Sequence, residues 1–147
     1  MSVALLDVNA LIALMWAEHP FHRSCSAWFA EASAIGWATC PITEAGFVRV
    51  LCNPTFTAHP PSVSAAIRIL QSAAASETRH SFWSDDLPVS TLASHGETQL
   101  GPKQITDAYL LSLAIHKKGK LATFDRRIQA LAPVGSAAHQ ALLILRP

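Results

Sequence analysis

The stretch VALLDVNALIALM, residues 3–15, carries the pattern that decides the fold class. It begins with the apolar run Val3–Leu6, which has the length of a buried strand and stops at Asp7. Asp7 or Asn9 is expected to cap a helix over Ala10–Ala17, since both side chains accept hydrogen bonds from the first N–H groups of a helix. A strand that leads directly into a helix is the repeating unit of parallel α/β sheets.

The alternation of strands and helices continues along the rest of the chain. Further strands are predicted over Gly36–Cys40, Lys120–Phe124 and Ala141–Leu145, with an added strand at His80–Trp83 before a loop or short helix. Further helices are predicted over Phe21–Ala34, from Pro41 to about Leu51, and over Ser62–Ala75, Ile105–Lys118 (with Gly119 as C-cap) and Arg126–Leu131. This pattern predicts a parallel α/β sheet with helices on both faces.

The composition is that of an ordinary folded protein. Of the 147 residues, 50% are hydrophobic and 14% are charged, which excludes a disordered chain. The net charge of +1 excludes a protein that binds nucleic acid by bulk charge alone. That total hides an asymmetry, because residues 101–147 hold seven basic and two acidic side chains. The length is that of one domain, and the surplus of apolar residues predicts a surface for a partner.

The cysteines and the apolar runs bear on where the protein resides. Cys25, Cys40 and Cys52 are an odd number with no C-x-x-C spacing, so we expect reduced thiols. No apolar run reaches ~18 uninterrupted residues, and the N-terminus lacks the basic start of a signal peptide. We therefore expect a cytoplasmic protein with no membrane span. His19 and His22 have an H-x-x-H spacing, but a proline separates them and no third ligand is apparent, so we interpret them as structural.

Four acidic residues stand where predicted strands pass into helices. Asp7 ends the first strand, and Asp125 follows the strand Lys120–Phe124. Glu44 and Asp107 each lie in the first turn of a predicted helix. Ligands of a parallel sheet bind beyond the carboxyl ends of its strands, where these acids are expected to meet. Neighbouring carboxylates repel one another, and oxygen ligands without His or Cys suit Mg²⁺ or Mn²⁺.

Each of these acids also has a simpler explanation. Asp7 and Asp125 are suitable caps for the helices that follow them. Glu44 and Asp107 complement the positive end of a helix dipole. All four explanations would have to hold together, at junctions that share one edge, and the set therefore favours a site.

Four blocks of sequence also carry a family resemblance. They are LLDVNALIAL at 5–14, PITEAGFVRVL at 41–51, KQITDAYLLSLA at 103–114 and LATFDRRI at 121–128. Each block contains one of the acids, and the blocks follow one another in the order and at the distances usual for the PIN-domain family. The chain resembles most closely the VapC-type toxins of prokaryotic toxin–antitoxin systems, over essentially its whole length.

The resemblance implies a metal-dependent ribonuclease on a three-layer α/β/α sandwich with a small, mostly parallel sheet. It implies that residues 1–147 form a single PIN domain, with Mg²⁺ (or Mn²⁺) as cofactor and RNA as substrate. It also implies a homodimer and a cognate antitoxin protein that covers the active site.

Carried over block by block, the resemblance assigns roles to individual residues. The acids that match the family's catalytic and metal-binding quartet are Asp7, Glu44, Asp107 and Asp125. Asn9 and Thr123 match polar positions that support the site. Ile128 stands where many relatives have Phe, a conservative departure that concerns packing.

Basic residues surround the last of the four acids. Arg126 and Arg127 follow Asp125 directly, and we expect them to contact the RNA backbone. The alternative is a solvated basic cluster that ends a helix, which suits Lys117 and Lys118 at least as well.

Three other functions compete with a ribonuclease toxin. One is a housekeeping RNA-processing nuclease of the same fold. Another is a phosphatase of the haloacid dehalogenase type, but its second aspartate is replaced here by Asn9, which cannot exchange a proton. The third is a non-catalytic RNA-binding domain, against which the presence of all four acids argues.

Overall fold

One parallel sheet organises the described part of the chain. The structure, a computed structural model, describes residues 2–76, 79–95 and 100–147. The strands are β1 (Ala4–Leu6), β2 (Trp37–Thr39), β3 (His80–Phe82), β4 (Lys120–Thr123) and β5 (Leu142–Ile144). Their order across the sheet is β3-β2-β1-β4-β5, and each pair of neighbours is parallel. The predicted parallel sheet is confirmed, and the added strand is its edge strand β3.

Helices cover both faces of this sheet. The α-helices are α1 (Val8–Met15), α2 (His22–Ala32), α3 (Pro41–Leu51), α4 (Val63–Ala75), α5 (Ile105–His116) and α6 (Ala137–Ala141). Short 3₁₀ helices span Val89–His95, Pro102–Gln104 and Arg126–Leu131. Among the described residues, no helix is both long and apolar enough to cross a membrane.

Alternating side chains of the central strand contribute to two separate cores. Leu5 is fully buried in a core that includes residues of α5 and α6. Ala4 and Leu6 are buried in the opposite core, which includes residues of α1, α2 and α3. This two-residue period is the geometry of a strand with both faces covered. The structure therefore has the three layers of an α/β/α sandwich.

Several helix ends differ from the sequence prediction, and two of the differences bear on the local chemistry. Helix α1 begins at Val8, two residues earlier than predicted, because Asp7 and not Asn9 is its N-cap. Helix α5 ends at His116, and the left-handed residue after it is Lys118, with φ of 56°, in place of the predicted Gly119. Gly119 is needed for space, since a Cβ there would lie 2.6 Å from the Val3 carbonyl oxygen and would overlap the Trp83 ring.

The strand order places three of the predicted site residues at one edge of the sheet. Central strand β1 pairs with β2 on one side and with β4 on the other. The residues that follow these strands lead to Asp7, Glu44 and Asp125. Parallel strands end at the same edge, so the fold brings together segments that are distant in sequence.

Candidate active site

Asp7 is a buried carboxylate held from two sides. Its side chain is 8% exposed, at the junction of β1 and α1. The backbone N–H of Val8 donates to its Oδ1 at 2.7 Å, and the Thr123 hydroxyl donates to its Oδ2 at 2.8 Å. Hydrogen bonds therefore fix the orientation of both oxygens, and Asp7 is the N-cap of α1, as predicted.

Thr123 connects the ends of β1 and β4. Its one hydroxyl proton goes to Asp7, so its oxygen accepts from the Asp125 N–H at 3.0 Å and from Asn9 Nδ2 at 3.2 Å. The Asn9 Oδ1 in turn accepts from the Phe124 N–H at 3.2 Å. Asn9 and Thr123, the two residues predicted to support the site, thus hold its acids in place through one hydrogen-bonded network.

Three aspartates share one electrostatic environment. Burial raises the pKa of the Asp7 carboxyl, its two hydrogen bonds oppose that rise, and the charge on Asp125 adds to it. Burial also raises the pKa of Asp107, and the charges of Asp7 and Asp125 raise it further. Burial is the larger cause of both shifts, and the like charges of the neighbouring aspartates add to it.

Asp125 forms an ion pair with Arg127. Arg127 donates from Nε to both carboxylate oxygens, at 3.0 and 3.1 Å, and from Nη2 to Oδ2 at 2.7 Å. The Arg127 backbone N–H also donates to Oδ1 at 2.9 Å, so Asp125 caps the 3₁₀ helix as well. These hydrogen bonds lower the pKa of Asp125 and keep it ionised. Arg126, the other predicted RNA contact, is exposed beside this pair.

Glu44 is hydrogen-bonded to Thr39, which in turn contacts His80. The hydroxyl of Thr39, the last residue of β2, donates to Glu44 Oε1 at 2.6 Å. Because this bond uses the only hydroxyl proton, His80 Nε2 is the donor in its 2.8 Å contact with the Thr39 oxygen. Burial lowers the pKa of His80 and the charge on Glu44 raises it. Sequence reasoning missed Thr39 and His80; the signal for Thr39 is its place at the end of a strand, the same as that of Thr123.

The predicted metal ligands are not gathered as a finished metal site. Within the described ranges, no three His, Cys, Asp or Glu side chains lie close enough together to hold an ion. Two of the acids bind other partners: Asp125 pairs with Arg127, and Glu44 accepts a hydrogen bond from Thr39. The structure thus brings Asp7, Asp107 and Asp125 into one electrostatic group and gives Glu44 separate partners.

A donor-rich cavity of about 250 Å³ adjoins Asp107. Its polar lining includes Lys103, Gln104 and Arg127, and Ile128 and Leu131 form its apolar side. Gln104 Oε1 accepts from the Gly101 N–H at 2.9 Å, so its amide nitrogen is the end that remains to donate. Three donors beside an acid suit a ligand with several acceptor oxygens, such as a phosphodiester. Sequence reasoning did not select Lys103 or Gln104.

Sequence comparison finds relatives over most of the chain. A family model described as the PIN domain matches residues 4–133. Ribonuclease VapC44 of Mycobacterium tuberculosis (strain H37Rv) is 44% identical over 144 residues, which are 97% of this chain and 99% of the relative. Ribonuclease VapC38 of the same strain is 43% identical over 130 residues, 88% of this chain and 90% of the relative. Ribonuclease VapC39 is 42% identical over 135 residues, 90% and 95% of the two chains.

Comparison with solved structures agrees with the fold. A chain in the crystal structure of VapBC2 from Rickettsia felis, bound to a DNA fragment from their promoter, superposes with a TM-score of 0.65. The match covers 98% of this chain and 99% of that chain, at 12% sequence identity. With the acids at the carboxyl edge of a parallel sheet, a family match over residues 4–133 and relatives more than 40% identical, the chain belongs to the PIN-domain family and is a member of its VapC type.

Proposed function

We propose that this protein is an endoribonuclease and the toxin of a toxin–antitoxin pair, with residues 1–147 acting as a single PIN domain. The observation that carries the proposal is the network in which Thr123 joins Asp7 to the backbone of Asp125. This network holds together two acids that follow different strands, whereas a residue that only caps a helix needs no such link. The similar relatives that are named ribonucleases support the reaction.

The donor chemistry of this site suits a divalent cation, whose binding would draw the aspartates closer together than they lie here. The donor set is made of carboxylate oxygens, and both burial and mutual repulsion raise the pKa values of Asp7 and Asp107. A cation relieves that repulsion, and oxygen ligands suit Mg²⁺ or Mn²⁺. We assign its binding to Asp7, Asp107 and Asp125. When bound, the cation supplies an activated water and neutralises charge on the phosphate.

The remaining polar residues of the site position these groups. Thr123 and Asn9 fix the Asp7 carboxylate through the hydrogen bonds described above. Glu44 is assigned to bind the cation or to orient the attacking water, and Thr39 fixes its Oε1 for that purpose. A rigid arrangement of this kind lowers the reorganisation that the reaction needs.

Basic side chains are assigned to the RNA backbone. Arg127 and Lys103 line the cavity at Asp107, and Arg126 is exposed next to Arg127 in sequence. Contacts of this type position the substrate and carry no sequence information by themselves. These basic side chains also explain how a protein with a net charge of +1 can act on a polyanion, because positive charge is needed only at the site.

The proposed function includes two protein partners, an antitoxin and a second copy of this chain. The similar structure is that of VapBC2, and we infer a cognate antitoxin for this chain. We also infer a homodimer in the cytoplasm, supported by Val63 and Ile67 of α4, which are 56% and 43% exposed. Apolar side chains left uncovered on one helix are typical of an interface.

Asn9 argues against a phosphatase of the haloacid dehalogenase type. Its amide donates to Thr123 and accepts from the Phe124 N–H, so it serves as a support and has no proton to transfer. A housekeeping nuclease would share the whole site. An adjacent reading frame whose product blocks growth arrest by this protein distinguishes a toxin from that alternative.

RNA cleavage in defined metal conditions tests the proposal. Purified protein is incubated with total RNA in Mg²⁺, in Mn²⁺ and in excess chelator, beside the Asp7→Ala and Asp107→Ala variants. We expect cleavage by the wild type with metal, and loss of cleavage in chelator and in both variants. Full activity of either variant, or no cleavage by the wild type, would overturn the assignment. Sequencing of RNA 5′ ends after brief induction then identifies the target.

A further inference from the structure

A second cavity adjoins the site on the side formed by β1 and α1. It has a volume of about 280 Å³ and begins at Asp7 and Asn9. Its walls include the aliphatic side chains of Ile12 and Val50 and the rings of His19 and Phe56. A water molecule takes up ~30 Å³ of liquid, so this cavity has room for a flat organic ring.

The rings of this cavity belong to a longer aromatic series. His19 and Phe56 are nearly parallel, with ring centroids 6.4 Å apart and planes 24° apart. His19 meets Phe21 edge to face at 5.5 Å, and Phe21 lies 5.0 Å from Phe124. Phe124 directly precedes Asp125. The series therefore extends from the site acids to the cavity.

Local hydrogen bonds hold the two cavity rings in position. Asn53 Oδ1 accepts from the Thr55 N–H at 2.9 Å, and the Asn53 carbonyl accepts from the Phe56 N–H at 2.9 Å. His19 Nδ1 accepts from the Phe21 N–H at 3.0 Å, which leaves Nε2 as the protonated nitrogen of the neutral ring. Phe56 is nevertheless 37% exposed, so this turn presents a large apolar ring to solvent instead of packing it away.

The chemistry of the walls selects the kind of ligand. None of the described residues that line the cavity is Lys or Arg, so the cavity offers no cation to hold a phosphate of its own. Flat rings and aliphatic side chains instead suit the face of a nucleobase, and stacking on aromatic side chains is how proteins hold single-stranded nucleic acid. The basic residues lie at the other cavity, beside Asp107.

We propose that His19 and Phe56 stack one nucleobase of single-stranded RNA, next to the phosphodiester that is processed at Asp7. This proposal rests on the proposed ribonuclease function and adds a base subsite to it. The H-x-x-H pair of the sequence thereby gains a role for its first member that is neither structural nor metal-binding.

Fluorescence of a stacked base analogue tests the subsite without any cleavage. Short single-stranded RNAs carry 2-aminopurine at each position in turn. Each RNA is titrated with the Asp7→Asn variant and, separately, with the double variant that also carries Phe56→Leu. One position should be quenched on binding, and Phe56→Leu should abolish the quenching and weaken binding about tenfold, because the base loses the ring on which it stacks. Phe56→Tyr should retain both effects, because the ring remains.

Two matched controls separate stacking from general effects. Phe82→Leu removes a ring that is 56% exposed on edge strand β3, and it should leave binding and quenching unchanged. With an RNA that has an abasic site at the quenched position, Asp7→Asn and the double variant should bind equally well. Quenching that survives Phe56→Leu, or equal losses in Phe56→Leu and Phe82→Leu, overturns the subsite. Failure of the ribonuclease assay alone overturns the proposed function, because base stacking is measured here in binding.

Discussion

The Thr123 hydroxyl donates a 2.8 Å hydrogen bond to Asp7 Oδ2, across a separation of 116 residues in the chain. Thr123 is fully buried at the end of β4, and Asp7 directly follows β1. The same arrangement occurs one strand away, where buried Thr39 ends β2 and donates to Glu44. Two threonines at strand ends thus orient two of the predicted catalytic acids.

Loss of the Thr123 hydroxyl should impair the enzyme while leaving the fold intact. Thr123→Val conserves shape but removes the donor to Asp7 and the acceptor for Asn9 and the Asp125 N–H. We expect kcat/KM to fall ~10- to 100-fold, as for other residues that orient metal ligands. The free energy of unfolding should fall by ~1–3 kcal/mol, because the buried partners of Thr123 lose their hydrogen bonds. Thr123→Ser should restore most of the activity; equal losses in both variants would contradict a role for the hydroxyl.

Removing the charge of Asp7 should stabilise the metal-free protein. Burial raises the pKa of Asp7 in the folded state, so the charged carboxylate opposes folding at pH values above that raised pKa. The penalty disappears as the pH falls towards the unfolded-state pKa of ~3.9. Asp7→Asn retains an oxygen to cap α1, and we expect its melting temperature in chelator at pH 7 to exceed that of the wild type by ~2–8 °C.

The pH dependence provides the check on this prediction. The advantage of Asp7→Asn should shrink when melting is repeated near pH 4, where the wild-type carboxyl is becoming protonated. Asp86→Asn is the matched control of opposite sign, because hydrogen bonds from Lys117 lower the pKa of that exposed carboxyl. An Asp7→Asn protein that is less stable than the wild type at both pH values would contradict the argument.

Much of this fold follows from periodicity and local chemistry. The run Val3–Leu6 and its stop at Asp7 predict β1 and the start of α1, because strand length and capping are properties of neighbouring residues. The end of α5 was not predictable in this way. Gly119 is the residue expected to be left-handed after this helix, but Lys118 takes that conformation, and Gly119 is needed because the Trp83 ring and the Val3 carbonyl leave no room for a Cβ.

The site could be predicted only in part for a similar reason. The acids stand out in the sequence because each follows a strand or begins a helix. The residues that orient or surround them do not. Pairing of β2 with β3 brings His80 to Thr39, which donates to Glu44, and Phe56 reaches the cavity at Asp7 from a turn after α3. Such contacts depend on strand order and on loop positions, which no local pattern contains.

Cysteine reactivity should separate the buried thiols from the accessible one. Burial raises the pKa of Cys25 to about 11, and Cys40 is also fully buried, whereas Cys52 is partly exposed. At pH 8, a thiol of pKa 11 has ~100-fold less thiolate than an ordinary one, and the thiolate is the reactive form. Mass spectrometry after brief iodoacetamide treatment should find Cys52 alkylated first, and all three cysteines only after unfolding. Rapid native labelling of Cys25 would contradict its position in the core.

Substitution of Gly119 should destabilise the protein by overpacking. A Cβ there would lie 2.6 Å from the Val3 carbonyl oxygen, which belongs to the backbone next to β1 and cannot move aside easily. We expect Gly119→Ala to reduce the free energy of unfolding by ~1–3 kcal/mol, measured by urea denaturation. Gly101→Ala is the control, since its nearest neighbour would be Gln104 Oε1 at 3.5 Å, an ordinary contact. Equal effects of the two substitutions would show that chain entropy, and not space, decides the outcome.

Arg127 and a divalent cation should compete for Asp125. The guanidinium binds both carboxylate oxygens, so a cation that takes this ligand must displace it. The Arg127 side chain is 91% exposed, and exposed ion pairs are weak because water screens them, so Arg127→Gln should bind Mn²⁺ only ~2- to 5-fold more tightly in calorimetric titration. Arg126→Gln removes the same charge from the next residue without touching the Asp125 pair. If both variants gain Mn²⁺ affinity equally, general electrostatics explains the change; a gain confined to Arg127→Gln shows that this arginine holds Asp125 until the cation replaces it.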